Sequence, residues 1–252
     1  MRFWREKAFH LVLLLSSALF CLGTGIDDFR KAAEQGDAFA QYYLGLIYAT
    51  GDGVAEDDVE AVKWFRKAAE QGQADAQCNL GFIYDNGQGV AEDYVEAVKW
   101  YRKAAEQGFA MAQYNLGIMY ANGQGVTEDD VKAVKWYRKA AEQGFAMAQY
   151  NLGIMYDNGE GVTEDDVEAV KWFRKSAEQG FAGAQYNLGV MYANGEGVAE
   201  DYVMGYMWYN LAVAQGHGIA KKNKGIISEE MTREQIAEAQ KLSREWLAKR
   251  SK

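Results

Sequence analysis

The sequence after residue 26 repeats every 36 residues, and this period constrains the fold more than any other feature. Three residue types recur at that spacing: Leu44, Leu80, Leu116, Leu152 and Leu188; Gly45, Gly81, Gly117, Gly153 and Gly189; and Trp64, Trp100, Trp136, Trp172 and Trp208. The third and fourth copies differ at only five of 36 positions. Copies of one short unit, with no strand-like alternation inside it, predict a solenoid in which each unit packs on its neighbours.

Each repeat begins with a predicted helix followed by a glycine-rich turn. In the third repeat, Ala112, Leu116 and Tyr120 recur every four residues and form one apolar stripe. Gly117 lies beside this stripe, and a helical glycine costs about 1 kcal/mol relative to alanine. Its recurrence in all five repeats predicts that it lets a partner helix approach closely. Residues 122–126 form the turn, because their glycines accept positive φ.

A second predicted helix completes each repeat. In the third repeat it opens with Thr127 or Asp129 as the N-cap, and neighbouring acidic residues suit the positive end of the helix dipole. Trp136 is predicted as the main buried contact, because a buried tryptophan removes about 150–250 Å² from water. Gly144 then ends the helix.

These patterns divide the chain into a leader, repeats and two modified ends. Five full repeats are predicted at 36–71, 72–107, 108–143, 144–179 and 180–215 within a solenoid spanning 26–252. Residues 26–35 keep only the tail of a second helix. Residues 216–252 lose the glycine turn and form a polar C-terminal cap, whose last helix opens with a capping box from Thr232 to Gln235.

Residues 1–25 have the pattern of an export signal. Three basic residues precede an apolar run from Leu11 to Leu22, which is short for a membrane-spanning helix. Cleavage after Gly23 or Gly25 and retention as an uncleaved anchor all remain open. The expected location is periplasmic or secreted in a bacterium, and the endoplasmic reticulum lumen or secreted in a eukaryote.

Composition argues against several classes of function. A net charge of −9 disfavours nucleic-acid binding, which needs a basic face. Two histidines and two cysteines leave little for metal or acid–base chemistry, so no cofactor, metal or catalytic residue is predicted. Gly123-Gln124-Gly125 is interpreted as a turn, because phosphate-binding loops join a strand to a helix and this segment joins two helices.

The third repeat resembles the Sel-1-like repeat, a family related to tetratricopeptide repeats. The residues that carry the resemblance are Ala112, Gln113, Leu116, Gly117, Tyr120, Gly123, Gly125, Val126 and Asp129, followed by Ala133, Trp136, Ala140, Ala141 and Gly144. The resemblance covers about residues 26–250. It implies an all-α, right-handed α/α superhelical solenoid whose first helices line the concave side, and an adaptor or scaffold role in protein complexes.

A partner-binding face is predicted on the side of the first helix opposite the apolar stripe. The candidate residues form two ladders at the 36-residue spacing. One has Tyr43 followed by the amides Asn79, Asn115, Asn151 and Asn187, and the other has the aromatic residues Tyr114, Tyr150 and Tyr186. Amides can bond the backbone of an extended peptide while rings hold its apolar side chains. The alternative is that the rings only pack between neighbouring repeats.

The sequence therefore predicts a non-catalytic, exported scaffold that holds a protein or peptide partner and acts as a monomer. No nucleic acid is expected as a partner, and no membrane span is expected after signal cleavage. The alternative is a weak β-lactam-binding or hydrolysing enzyme, as described for cysteine-rich relatives of this family. Those relatives carry paired cysteines in each repeat, whereas Cys78 is the single cysteine after residue 25.

Overall fold

The computed structural model describes residues 26–250, and the predicted signal segment 1–25 lies outside them. The described residues form thirteen α-helices and no strand. Their bounds are α1 Ile26–Glu34, α2 Ala38–Thr50, α3 Asp58–Glu70, α4 Ala74–Asn86, α5 Tyr94–Glu106, α6 Ala110–Asn122, α7 Asp130–Glu142, α8 Ala146–Asn158, α9 Asp166–Glu178, α10 Ala182–Asn194, α11 Tyr202–Ala214, α12 Gly218–Glu229 and α13 Arg233–Arg250. The predicted all-α fold is confirmed.

The chain divides after Glu128 into two compact halves. The N-terminal half holds α1–α6 and the C-terminal half holds α7–α13, and within each half consecutive helices pack together. We call the first helix of a repeat its A helix (α2, α4, α6, α8, α10) and the second its B helix (α3, α5, α7, α9, α11). Each half is thus a stack of A and B helices, as the repeat predicts.

The helix ends follow from the residues of the turn. Gly123 ends α6 in the left-handed region at φ 64°, and its N–H donates to the carbonyl of Met119. Asp129 is the N-cap of α7, and its side chain accepts from the backbone N–H of Lys132. Of the two predicted caps, Asp129 is therefore the one used. The same aspartate recurs at Asp57, Asp93, Asp165 and Asp201.

The repeated helical glycine lies where an aromatic ring of the B helix meets the A helix. A Cβ added to Gly81 would lie 2.6 Å from Cδ1 of Tyr101, and one added to Gly153 would lie 2.6 Å from Cδ1 of Phe173. Such distances are far below van der Waals contact. The predicted close approach is confirmed at these positions.

The predicted role of Trp136 is wrong. Tyr137 is the buried ring at 3% exposure, whereas Trp136 is half-buried on the outer side of α7, with Nζ of Lys139 4.3 Å from its ring centroid. Successive helix residues are separated by about 100°. Only one of two adjacent aromatic residues can therefore lie on the buried side of α7, and here it is the tyrosine.

The C-terminal cap ends in the predicted capping box. Thr232 N–H donates to Oε1 of Gln235 at 2.8 Å, and Gln235 N–H donates to Oγ1 of Thr232 at 3.2 Å. Helix α13 then packs on α11, with Leu242 and Trp246 against the core of the C-terminal half. No helix between residues 26 and 250 combines the length and apolar character that a membrane crossing requires.

Candidate functional site

One side of the A helices α6, α8 and α10 is only partly covered. In α6 the buried residues include Ala112 and Leu116, and the opposite side carries half-buried Tyr114, Asn115 and Ile118. These three share one side because Ile118 lies four residues after Tyr114 and three after Asn115, and a helix has 3.6 residues per turn. We call the positions equivalent to Tyr114, Asn115 and Ile118 the A-helix face.

The predicted site residues fall into two groups by exposure. Tyr43 and Asn79 are buried in the N-terminal half, at 5% and 6% exposure. Six are half-buried: Tyr114, Asn115, Tyr150, Asn151, Tyr186 and Asn187. The ring of Tyr43 stacks on Phe29 of α1 with centroids 5.6 Å apart, so the N-terminal helix covers this first rung.

The tyrosines of the A-helix face pack both on the B helix of their own repeat and on the first residues after it. The Tyr150 ring lies 5.9 Å from that of Phe173 and 4.9 Å from that of Phe181. The Tyr186 ring lies 5.9 Å from that of Tyr209 and stacks on His217 at 4.7 Å. These rings hold adjacent repeats together, and part of each remains exposed.

The asparagines bond tyrosine hydroxyls of the preceding repeat. Asn79 hydrogen-bonds to Tyr42, and Asn115 hydrogen-bonds to Tyr101. Burial raises the pKa of both tyrosines. In these rungs the amide already has a partner within the stack, and a bound peptide would share that amide with it.

A partly buried glutamine network joins repeats in both halves, and sequence reasoning missed it. Gln77 donates to the carbonyl of Ala69 at 3.0 Å, and Gln107 donates to Oε1 of Gln77 at 2.7 Å. Gln107 also donates to the carbonyl of Gly72 at 2.9 Å. The corresponding pairs elsewhere are Gln41 with Gln71, Gln149 with Gln179, and Gln185 with Gln215. The signal was a glutamine that recurs at the 36-residue period both within the A helix and directly after the B helix.

The one cysteine and the one histidine between residues 26 and 250 both have roles in the fold. Cys78 is fully buried, and burial raises the pKa of its thiol well above the usual range. His217 is the N-cap of α12, where its Nδ1 accepts from the N–H of Ala220 at 3.2 Å. No group of three or more His, Cys, Asp and Glu in this part of the chain is arranged to hold a metal ion.

The family model of the Sel1 repeat matches most of the chain, at residues 29–37, 38–73, 74–109, 110–145, 146–181 and 182–217. The chain belongs to the Sel1 repeat family. Each full match begins at the first residue of an A helix, two residues after the repeat boundaries used above. Sel1 repeat proteins generally act as scaffolds that mediate protein interactions.

Solved structures of two Sel1 repeat proteins resemble this one. One is c5321, a protective antigen present in uropathogenic Escherichia coli strains, at 42% identity and a TM-score of 0.80 over 88% of this chain and 48% of that one. The other is a Sel1 repeat protein from Oxalobacter formigenes, at 38% identity and a TM-score of 0.70 over 78% and 57%. This chain thus spans about half the length of these two relatives. Curated proteins gave no match.

Proposed function

We propose that this Sel1 repeat protein is an exported, non-catalytic scaffold that holds a protein or peptide partner on its A-helix face. The observation that supports this most is the half-buried row of a ring, an amide and an aliphatic side chain that recurs on α6, α8 and α10. Tyr114, Asn115 and Ile118 form it in the N-terminal half, and Tyr150, Asn151 and Ile154 form it in the C-terminal half.

The chemistry of this row suits an extended polypeptide. A half-exposed tyrosine ring offers an apolar surface at low entropic cost, and the amide beside it offers both a donor and an acceptor for a peptide backbone. Repetition of the row on α8 and α10 in the C-terminal half provides several weak contacts there instead of one deep pocket.

Burial narrows the predicted site. Tyr43 and Asn79 already pack inside the N-terminal half, so the contact is assigned to the half-buried positions, which begin at Tyr114. Export rests on the basic and apolar pattern of residues 1–25.

Site-specific photo-crosslinking in the cells that carry the gene tests this function. A benzoylphenylalanine placed at Ile118 or Ile154 is expected to crosslink to the same polypeptide, whereas one placed at the exposed Lys135 on α7 is expected to give no such product. Absence of a crosslinked polypeptide from both A-helix positions would overturn the proposal. So would the same product at equal yield from Lys135.

A further inference from the structure

The B helices carry a second repeated surface, distinct from the A-helix face. In the N-terminal half, α3 and the turn before α5 enclose a groove of about 440 Å³, and in the C-terminal half, α9 and the turn before α11 enclose one of about 410 Å³. Equivalent residues 108 positions apart line both. We call them the Trp64 groove and the Trp172 groove.

The floor of each groove is apolar and accessible. Val59 is 53% exposed in the first groove and Val167 is 52% exposed in the second, although both are aliphatic. Trp64 and Trp172 are half-buried beside them. An exposed valine next to a half-exposed tryptophan in two equivalent places is a typical docking surface for apolar anchors.

The rim of each groove is basic, on a chain whose net charge is −9. Lys63, Arg66 and Lys67 line the Trp64 groove with the single acid Glu60, which pairs with Lys63 and leaves the other two cations in excess. The Trp172 groove has the same three cations, and its acids are Glu168 and Glu178. Nζ of Lys67 lies 3.9 Å from the Trp64 ring centroid, so the positive charge reaches over the apolar floor.

In the C-terminal half, the outer surface of one B helix, α11, is covered by another helix of the same chain. Helix α13 lies on α11, and the ring of its Trp246 is 6.3 Å from the ring of Trp208. Trp208 is the counterpart of Trp172 one repeat later, and it is only 5% exposed. Leu242 of α13 packs into the same core. The same surface of a B helix therefore accepts an amphipathic helix in this molecule.

Trp208 has apolar neighbours at two positions where Trp172 has lysines, and a permanently buried contact requires such apolar neighbours. Met207 and Leu211 stand where α9 has Lys171 and Lys175. The two apolar residues are 5% and 1% exposed beneath α13. Lysines at these positions cannot be sealed under a helix without desolvation of their charge, so the Trp172 groove favours a reversible contact.

We propose that the Trp64 and Trp172 grooves dock an amphipathic α-helix of a partner protein, one that carries apolar anchors and acidic flanks. The anchors fill the floor between the valine and the tryptophan, as Leu242 and Trp246 do on α11. The acidic flanks meet the lysines and the arginine of the rim. This contact is separate from the A-helix face and does not require a peptide there.

A labelled peptide tests the proposal on the full chain. The probe is the sequence of residues 232–250 with K241E, R244E, K249E and R250E, which keeps both anchors and makes the flanks acidic. Fluorescence anisotropy is expected to show saturable binding that weakens about tenfold in the double variant Lys63→Glu/Lys171→Glu. The chain variant Lys241→Glu, whose side chain is 69% exposed on α13, is the matched control and is expected to bind as the parent does.

A second variant separates the floor from the rim. Trp64→Ala/Trp172→Ala is expected to weaken binding of the same peptide by about tenfold or more, with circular dichroism as the check on folding. Absence of binding up to about 1 mM peptide would overturn the proposal, and so would equal affinity in the charge-reversed variant. Self-association of the parent that is lost in Lys63→Glu/Lys171→Glu would also overturn it, because the occupant would then be a second copy.

Discussion

Helices α9 and α11 occupy equivalent positions in consecutive repeats, yet their outer surfaces have opposite character. The side chain of Lys171 on α9 is 58% exposed, whereas Met207, 36 residues later on α11, is 5% exposed. The inner sides of the two helices are alike, because Phe173 and Tyr209 both pack on the glycine of the preceding A helix. Substitutions confined to the outer side therefore decide whether a repeat ends the stack or leaves a surface open.

Removal of α13, which covers the outer surface of α11, is expected to give the largest loss of stability. A chain that ends after Met231 exposes Trp208, Met207 and Leu211 to water. Burial of such side chains contributes about 1.5–3 kcal/mol each, so we expect the free energy of unfolding to fall by about 4 kcal/mol in urea denaturation. A chain that lacks only residues 251–252 is the control. An unchanged midpoint in the shorter chain would mean that α13 contributes nothing to the stack.

Exchange of one outer residue between the two helices would sharpen the comparison. Met207→Lys places an ammonium group under α13, and we expect a cost of about 3 kcal/mol from its desolvation. The reciprocal Lys171→Met is expected to change stability by less than about 0.5 kcal/mol, because the site is exposed. Thermal unfolding of both variants measures the difference. Equal effects would contradict the assignment of a sealed and an open surface.

The glutamine network should behave alike in both repeats, since it lies on their shared inner side. Gln149→Ala and Gln185→Ala each remove the side-chain donor to a buried carbonyl, at Ala141 and Ala177, and also the acceptor of a second glutamine. We expect each to cost about 2 kcal/mol in urea denaturation. The exposed Gln240→Ala on α13 is the control. A cost in only one of the two would show that the inner sides also differ.

Substitution of Asp157, at the end of α8, is expected to give the smallest change in stability. Burial raises its pKa, and the carboxylates of Asp166, Glu196 and Glu164 add to the rise. Its ionised form is therefore disfavoured in the folded state, a penalty that is absent below the unfolded pKa and grows as pH rises through the folded pKa.

We expect Asp157→Asn to stabilise the fold at pH 7 by less than about 1 kcal/mol, because solvent screens the half-buried group, and to have no effect near pH 3. Ala193 occupies the equivalent position before α11, so that repeat lacks the penalty. Chemical denaturation across this pH range measures the difference, with the exposed Asp52→Asn as the control. A gain that persists at low pH would contradict the electrostatic cause.

Local patterns made most of the fold predictable. The period gave the helical stack, Asp129 and Gly123 marked the helix ends, and the box at Thr232 marked the last helix. Trp136 was misassigned because Trp136 and Tyr137 are adjacent and both match an apolar stripe. Only the rotation of α7 about its axis decides which ring is buried.

The candidate site was less predictable than the fold. The ladder positions follow from helix periodicity, but the burial of Tyr43 depends on Phe29, which lies outside the full repeats. The glutamine network joins side chains 30 residues apart, and no local rule pairs them. The covered Trp208 depends on α13, whose sequence has no counterpart in the repeats.

The reactivity of two tryptophans tests the central claim most directly, namely that the same surface of a B helix is open on α9 and sealed on α11. Oxidative footprinting with mass spectrometry gives a rate for each residue in the native full-length chain. We predict that Trp172 is modified about tenfold faster than Trp208, and that removal of α13 makes the two rates equal. Equal rates in the full-length chain would contradict it.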